Sequence, residues 1–304
     1  MAILHALSDL SLALPVQEVL QEAAAAAAGA VEAEVIEPAS TAAIFALAVV
    51  QGLTEFLPVS SSGHLAIGRE VMNVQEGGLA LDVALHVGTL LAIVVAFRKD
   101  VIKLFTDLAK GQFAMWIWLI VATIPVGVIG ILGKDTVEAA AGTVKAAGVG
   151  LFITATALMI GERFRRKRES SGHALDYSAD AAPPMGLALF MGCFQAVAIW
   201  PGISRSGSTI SAGFVKGLGS AEAARLSFLM SLPAISGAAI VELPHALEEG
   251  FGSISPGVVL AAAAVAGLVG WAALKTLLLV LKKGSFPYFA GYCALLGTAA
   301  LLLN

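Results

Sequence analysis

Residues 51–64 read QGLTEFLPVSSSGH, an apolar run that gathers a carboxylate, three serines and a histidine around a proline and a glycine. Residues 195–208, QAVAIWPGISRSGS, repeat the outline. In both stretches a glutamine precedes by nine residues a Ser-x-Ser-Gly, in which x is Ser61 or Arg205, and the offset is 144 residues at every matched position. Two similar polar motifs set in one apolar chain read as the halves of a single polar site inside a membrane protein.

Of 304 residues, 58% are hydrophobic and 13% charged, and the mean hydropathy is +0.87. A soluble domain carries about twice that share of charge. Several stretches are apolar for about 17 to 25 residues, the length a helix needs to cross a bilayer. A soluble all-α protein is the alternative, but too few polar faces remain to cover so many apolar ones. The net charge of -4 argues against a nucleic-acid partner. Cys193 and Cys293 stand in separate apolar segments without metal-ligand spacing, so each is expected to be a buried thiol.

Residues 1–40 carry the acids Asp9, Glu18, Glu22, Glu32, Glu34 and Glu37, no Lys or Arg, and an alanine run at 23–28. They read as an acidic extension with no catalytic part. Residues 41–304 read as the membrane-embedded domain. Its apolar segments fall at about 41–57, 63–72, 80–97, 113–133, 142–161, 185–200, 206–218, 222–242, 256–281 and 286–303. Pro58 and the pair Pro201, Gly202 interrupt the segments beside the two motifs, and proline is poorly tolerated inside a helix. Each flanking pair is therefore expected to form a re-entrant hairpin, whose irregular backbone must line a cavity.

Basic residues orient the chain, because Lys and Arg concentrate in cytoplasmic loops. Arg98, Lys99 and Lys103 follow one segment, Arg163 to Arg168 a second, and Lys282 with Lys283 a third. The connection at 243–255 holds Glu248 and Glu249 and no basic residue. With about six transmembrane helices, all three clusters fall inside only if the two hairpins enter from opposite sides. The expected fold is thus an all-α integral membrane protein built as an inverted repeat, approximately 41–161 and 185–304. Transporters with such repeats place their site at the repeat interface near the midplane.

Glu55 stands four residues after Gln51, on the same helix face. A carboxylate in the membrane suggests function, as a metal holder or a general base, unless a basic group neutralises it. Ser60, Ser61, Ser62 and Gly63 open the next helix, where free N–H groups favour a phosphate. One serine suffices as an N-cap, which leaves another as nucleophile or ligand. His64 is placed to exchange a proton with it. Arg205 offers a planar fork suited to phosphate oxygens, with Glu55 as its structural alternative. Ser204, Ser206, Gly207, Ser208 and Thr209 open a second cradle. Asp82 and His86, four apart on the third segment, read equally as site residues or as a helix-end hydrogen bond. Pro125 and Pro233 are expected to kink their helices, and the basic run 163–168 to anchor against anionic lipid. Together these residues describe phosphoryl chemistry on a membrane-embedded substrate.

The two motifs resemble the signature regions of the undecaprenyl-diphosphate phosphatases, also called bacitracin-resistance proteins. LDVALHVGTLLA at 81–92 and LSFLMSLPA at 226–234 match as well, and the likeness runs from about Ile44 to the C-terminus. The resemblance implies an enzyme of the bacterial inner membrane, its active site open to the periplasmic side, that removes the terminal phosphate of a C55 isoprenyl diphosphate and so recycles a lipid carrier of cell-wall synthesis. By position it implies an acidic residue at Glu55, a nucleophile at Ser61, a histidine at His64 and a diphosphate-binding arginine at Arg205, with Ser60, Ser204 and Thr209 as accessory positions. It also implies Mg²⁺ or Ca²⁺ held by Glu55, with Gln51 beside it. Some members carry a second glutamate where this chain has Gln51, so a metal here would meet one carboxylate fewer. The partners implied are the isoprenyl diphosphate and membrane lipids, with a homodimer left open. Attack by Ser61 and attack by water both remain open, and a lipid transporter or flippase is the rival reading.

Overall fold

The computed structural model describes residues 40–74, 77–141, 143–172, 175, 177, 182–283 and 286–302. The acidic extension expected over residues 1–40 lies, except for Ser40, outside the described residues. Those described are helical almost throughout, in order α1 Thr41–Phe56, α2 Ser61–Met72, α3 Gly78–Ala96, α4 Arg98–Ala109, α5 Ala114–Leu132, α6 Lys134–Ala141, α7 Val144–Ser171, α8 Met185–Val197, α9 Arg205–Val215, α10 Ser220–Glu249, α11 Pro256–Leu281 and α12 Phe286–Leu302. Among them α3, α5, α7, α10 and α11 are long and apolar enough to cross a membrane. With α12 at 17 residues and α1 at 16 beside them, the chain is a multi-pass membrane protein.

The four helices flanking the polar motifs are short for physical reasons legible in their ends. Ser40 caps α1 by accepting from the Ala43 N–H at 3.1 Å, and α1 stops at Leu57, the residue that Pro58 pushes into extended backbone. Ser60 then caps α2 through the Gly63 N–H, and Ser204 caps α9 through the Gly207 N–H. The caps are equivalent across the 144-residue offset. At about 1.5 Å per residue, α1, α2, α8 and α9 reach about 16 to 24 Å, short of a bilayer core of about 30 Å.

Packing partners recur at the same offset. Helix α11 lies along α1 and α5 along α8, while α11 on α3 answers to α5 on α10. Small residues permit the closest approaches: a side chain at Gly88 would collide with the Ala263 backbone of α11, and one at Gly52 with that of Ala266. The buried core of the site region runs through Phe56, Trp118, Phe214 and Phe228, with the Phe56 and Phe228 rings edge to face at 5.8 Å.

The irregular backbone between the short helices is satisfied by protein, as the interior of a membrane requires. Thr154 of α7, fully buried, donates to the Gly202 carbonyl and accepts from the Ser204 N–H, both at 2.8 Å. The Ser206 hydroxyl donates to the Leu57 carbonyl at 3.2 Å, which ties the second motif to the first. Gly202 holds φ +83° with its Cα against the Ala147 carbonyl. Gly202→Ala should cost on the order of 3 kcal/mol, combining left-handed strain with overpacking. Thermal unfolding in detergent checks this, and a melt unchanged from wild type would contradict it.

Some expectations are corrected. The basic run 163–168 continues α7 rather than following it, and Arg165 is buried against Glu162 in a two-pronged pair at 2.8 Å, with Arg166 on the same carboxylate. Helix α10 runs through Pro244 to Glu249, where a connection was expected from residue 243. Cys293 is buried as expected, whereas Cys193 faces outward.

Candidate active site

The end of α1, the middle of α3 and the starts of α2 and α9 meet at a cavity of about 240 Å³. At its centre is the Glu55 carboxylate, its side chain only 6% exposed. Oε1 accepts from Arg205 Nη2, across the two motifs. Oε2 accepts from the Ser61 hydroxyl at 2.7 Å and from Gln51 Nε2 at 3.2 Å. A buried carboxylate is tolerable only with such partners. The pairing of Arg205 with Glu55, the structural alternative to a phosphate, is therefore present, with a serine hydroxyl on the second oxygen.

Both serine-rich helix starts face this cavity. Ser60 and Ser62 share a hydrogen bond at 3.2 Å, as do Ser204 and Ser206. Helix N-termini present N–H groups and the positive end of the dipole, so the two starts beside Glu55 are suited to an anion.

Of the residues expected from sequence, the cavity brings together Glu55, Ser60, Ser61, Ser62, Ser204 and Arg205. The others stand behind it. Gln51 holds the far side of the carboxylate. Gly63 packs against Gly202, and Gly207 between Leu158 and Pro58, where a Cβ would press on each at 3.1 to 3.2 Å. Ser206 is spent on Leu57. Thr209 is turned into the protein, donating to the Arg205 carbonyl and sharing a hydrogen bond with Ser227.

His64, expected to exchange a proton with Ser61, does not line the cavity. Its Nδ1 donates to the Ser60 carbonyl at 2.7 Å, which fixes the neutral tautomer. Its Nε2 then accepts from the Tyr292 hydroxyl at 2.7 Å, and the two rings stack at 5.6 Å. Both ring nitrogens are engaged, so in this arrangement His64 holds the Ser60 turn against α12.

Two further residues line the cavity: His86, left open between a site role and a helix hydrogen bond, and Gln195. His86 places Nε2 3.7 Å from Glu55 Oε2, held by Nδ1 donating to the Asp82 carbonyl at 2.7 Å. The Asp82 carboxylate itself is paired with Arg69 at 2.6 Å. Gln195, the counterpart of Gln51, is 1% exposed. The 144-residue offset was the signal that could have singled it out.

Several polar atoms here have no partner among the described residues: Gln51 Oε1, Arg205 Nη1 and both amide atoms of Gln195. Buried polar groups are paired in folded proteins, so these atoms are open to water or to a ligand with hydrogen-bonding capacity. Among the described residues no group of three or more His, Cys, Asp or Glu converges. The Glu55 carboxylate and the Gln51 side-chain carbonyl are oxygen donors of the kind a hard divalent cation takes, with Gln51 standing behind the cavity rather than lining it.

A family model described as Bacitracin resistance protein BacA matches residues 44–299. An undecaprenyl-diphosphatase of Desulforapulum autotrophicum is 38% identical over 274 residues, spanning 84% of this chain and 95% of that protein. One of Halothermothrix orenii is 37% identical over 257 residues, 84% and 95% of the two chains. One of Desulfosudis oleivorans is 36% identical over 275 residues, 85% and 96%.

Proposed function

The chain belongs to the bacitracin resistance protein BacA family, the undecaprenyl-diphosphatases, and from that premise we propose that its two polar motifs form one hydrolytic site. It is a membrane hydrolase acting on undecaprenyl diphosphate, and its activity yields undecaprenyl phosphate and inorganic phosphate. The observation that carries the site assignment is the Ser61 hydroxyl donating to Glu55 Oε2 while Arg205 holds Oε1.

That hydrogen bond points the serine proton at a base and leaves an oxygen lone pair for attack. The terminal phosphoryl group enters between the two serine cradles, and Arg205 turns its fork from Glu55 to the phosphoryl oxygens. Ser61 Oγ bonds to the terminal phosphorus, its proton passes to Glu55, and the bridging P–O bond breaks. The lipid phosphate leaves with the electron pair and takes the proton. Water then attacks the phosphoserine, giving one proton to Glu55, which returns it to Ser61 Oγ as the phosphate departs. Stabilisation of the developing charge by Arg205 and the two helix starts is the largest contribution expected. His64 is a positioning residue, holding the turn that presents Ser61. His86 packs beside the carboxylate and keeps it turned to Ser61.

Glu55 and Gln51 Oε1 would hold Mg²⁺ or Ca²⁺, which supplies positive charge against the phosphoryl oxygens. Chelation is expected to lower turnover by about a hundredfold or more, with recovery on re-addition, in keeping with a charge clamp on a transferring phosphoryl group. Release that proceeds unchanged in EDTA would remove the metal.

The short helices α1, α2, α8 and α9 are read as two re-entrant hairpins of an inverted repeat in residues 41–304, entering from opposite faces. Matched caps and matched packing partners support this. With the basic clusters inside, the start of α1 and the end of α12 lie on the outer side, and the cavity is read as opening to the periplasmic face of a bacterial inner membrane. Recycling of the lipid carrier there serves cell-wall synthesis and resists bacitracin. A transporter of isoprenyl phosphates would use the same repeat architecture, but it needs no nucleophile beside a base. Phosphate release from a C15 or C55 isoprenyl diphosphate by the protein in lipid nanodiscs tests the reading. Release is expected, and binding without release would favour the transporter.

A further inference from the structure

The cavity wall is divided by chemistry. Its polar residues come from α1, α2, α3 and α9, whereas α5, the end of α8 and α10 contribute Val126, Ala198, Ile199, Ala234, Ile235 and Ala238. On that apolar wall one lining side chain is polar, Gln195. It lies one turn before Ala198 and Ile199 on the same face of the chain, because the turn closing α8 continues through both.

Its counterpart across the repeat explains why its amide is unspent. Gln51 gives its N–H to Glu55, but the position matching Glu55 in the second half is Ile199. Gln195 therefore has no carboxylate to hold and is buried with both amide atoms unpartnered among the described residues. Leaving a buried amide unpaired is costly, so its presence on an otherwise apolar wall calls for a ligand.

We propose that Gln195 binds the phosphate that stays with the lipid, making the apolar wall and this amide the subsite of the leaving group. The inference rests on the phosphatase reading above. An isoprenyl chain packs along the α5, α8 and α10 wall, since that surface excludes water. The first polar group behind the chain is the lipid-linked phosphate, and the first polar side chain on the wall is Gln195. Its Nε2 donates to a phosphate oxygen there. The terminal phosphate then lies farther in, against Ser61 and Arg205. Each glutamine thus has its own task, Gln51 on the catalytic carboxylate and Gln195 on the leaving phosphate.

The test compares inhibition by the two products, farnesyl monophosphate and inorganic phosphate, in wild type, Gln195→Met and Gln195→Leu, with farnesyl diphosphate as substrate. Both variants should melt no lower than wild type, since they remove an unpaired polar group. Losing a hydrogen bond to a charged ligand should weaken farnesyl monophosphate roughly tenfold to a hundredfold and leave inorganic phosphate within about threefold. Equal weakening of both products, or unchanged inhibition by farnesyl monophosphate, overturns the assignment. Direct binding of labelled farnesyl monophosphate decides the matter if a variant turns over too slowly to assay. A wild type that releases no phosphate from farnesyl diphosphate would overturn the phosphatase reading and this subsite with it. An active wild type with unaffected variants would overturn the subsite alone.

Discussion

Arg205→Ala should lower turnover of an isoprenyl diphosphate by about a thousandfold or more, the range in which an arginine stabilises a transferring phosphoryl group. Its guanidinium is the charge-bearing group that the second motif brings to Glu55, and Nη1 has no partner among the described residues. Arg205→Lys should recover little, because an ammonium on a flexible stem cannot replace a planar fork that meets two oxygens. Steady-state kinetics on both variants checks this. Turnover by Arg205→Lys near that of wild type would show that charge alone suffices.

Glu55→Gln is the second large effect. It removes the acceptor of the Ser61 proton, and loss of a base that activates a nucleophile is expected to cost about a hundredfold to ten-thousandfold. It also leaves Arg205 facing a neutral amide in a mostly buried site. Breaking one side of a buried ion pair destabilises by about 3 to 5 kcal/mol, whereas replacing both partners with apolar groups is close to neutral. Glu55→Gln should therefore melt lower than wild type, and Glu55→Leu combined with Arg205→Met should regain the melt without regaining turnover. If the double variant melts no better than Glu55→Gln, the pair is not the source of the instability.

The membrane class and the site's two halves were legible in the sequence because both rest on local patterns. Apolar runs of bilayer length announce spans, and a Ser-x-Ser-Gly after a proline announces a capped helix start. The 144-residue offset tied those starts together before any contact was known, and the matched caps at Ser60 and Ser204 follow it. Side-chain direction was not legible. His64 is drawn away from Ser61 by Tyr292, which is 228 residues distant in sequence, and no local spacing encodes that choice. His86 reaches Glu55 only because α3 packs so that its fourth-residue hydrogen bond to Asp82 aims the ring inward.

The helix limits misread in the sequence share a similar cause. Proline marks a boundary where nothing else supports the helix, as at Pro58. Helix α10 packs against α3 and α5 and continues past Pro233 and Pro244 to Glu249. A local proline signal alone did not set its limit. The basic run 163–168 was read as a loop anchor for the same reason: its Glu162 partner, which lets Arg165 be buried, lies on the preceding turn of one continuous helix.

In the proposed mechanism, Ser61 is the group on which hydrolysis, rather than binding alone, depends. The single-turnover rate of phosphate release from farnesyl diphosphate by Ser61→Ala, at saturating protein, should fall by about a thousandfold while the diphosphate still binds, as expected for loss of an interaction made only in the transition state. Release within about threefold of wild type would contradict Ser61 as the nucleophile and pass the attack to water.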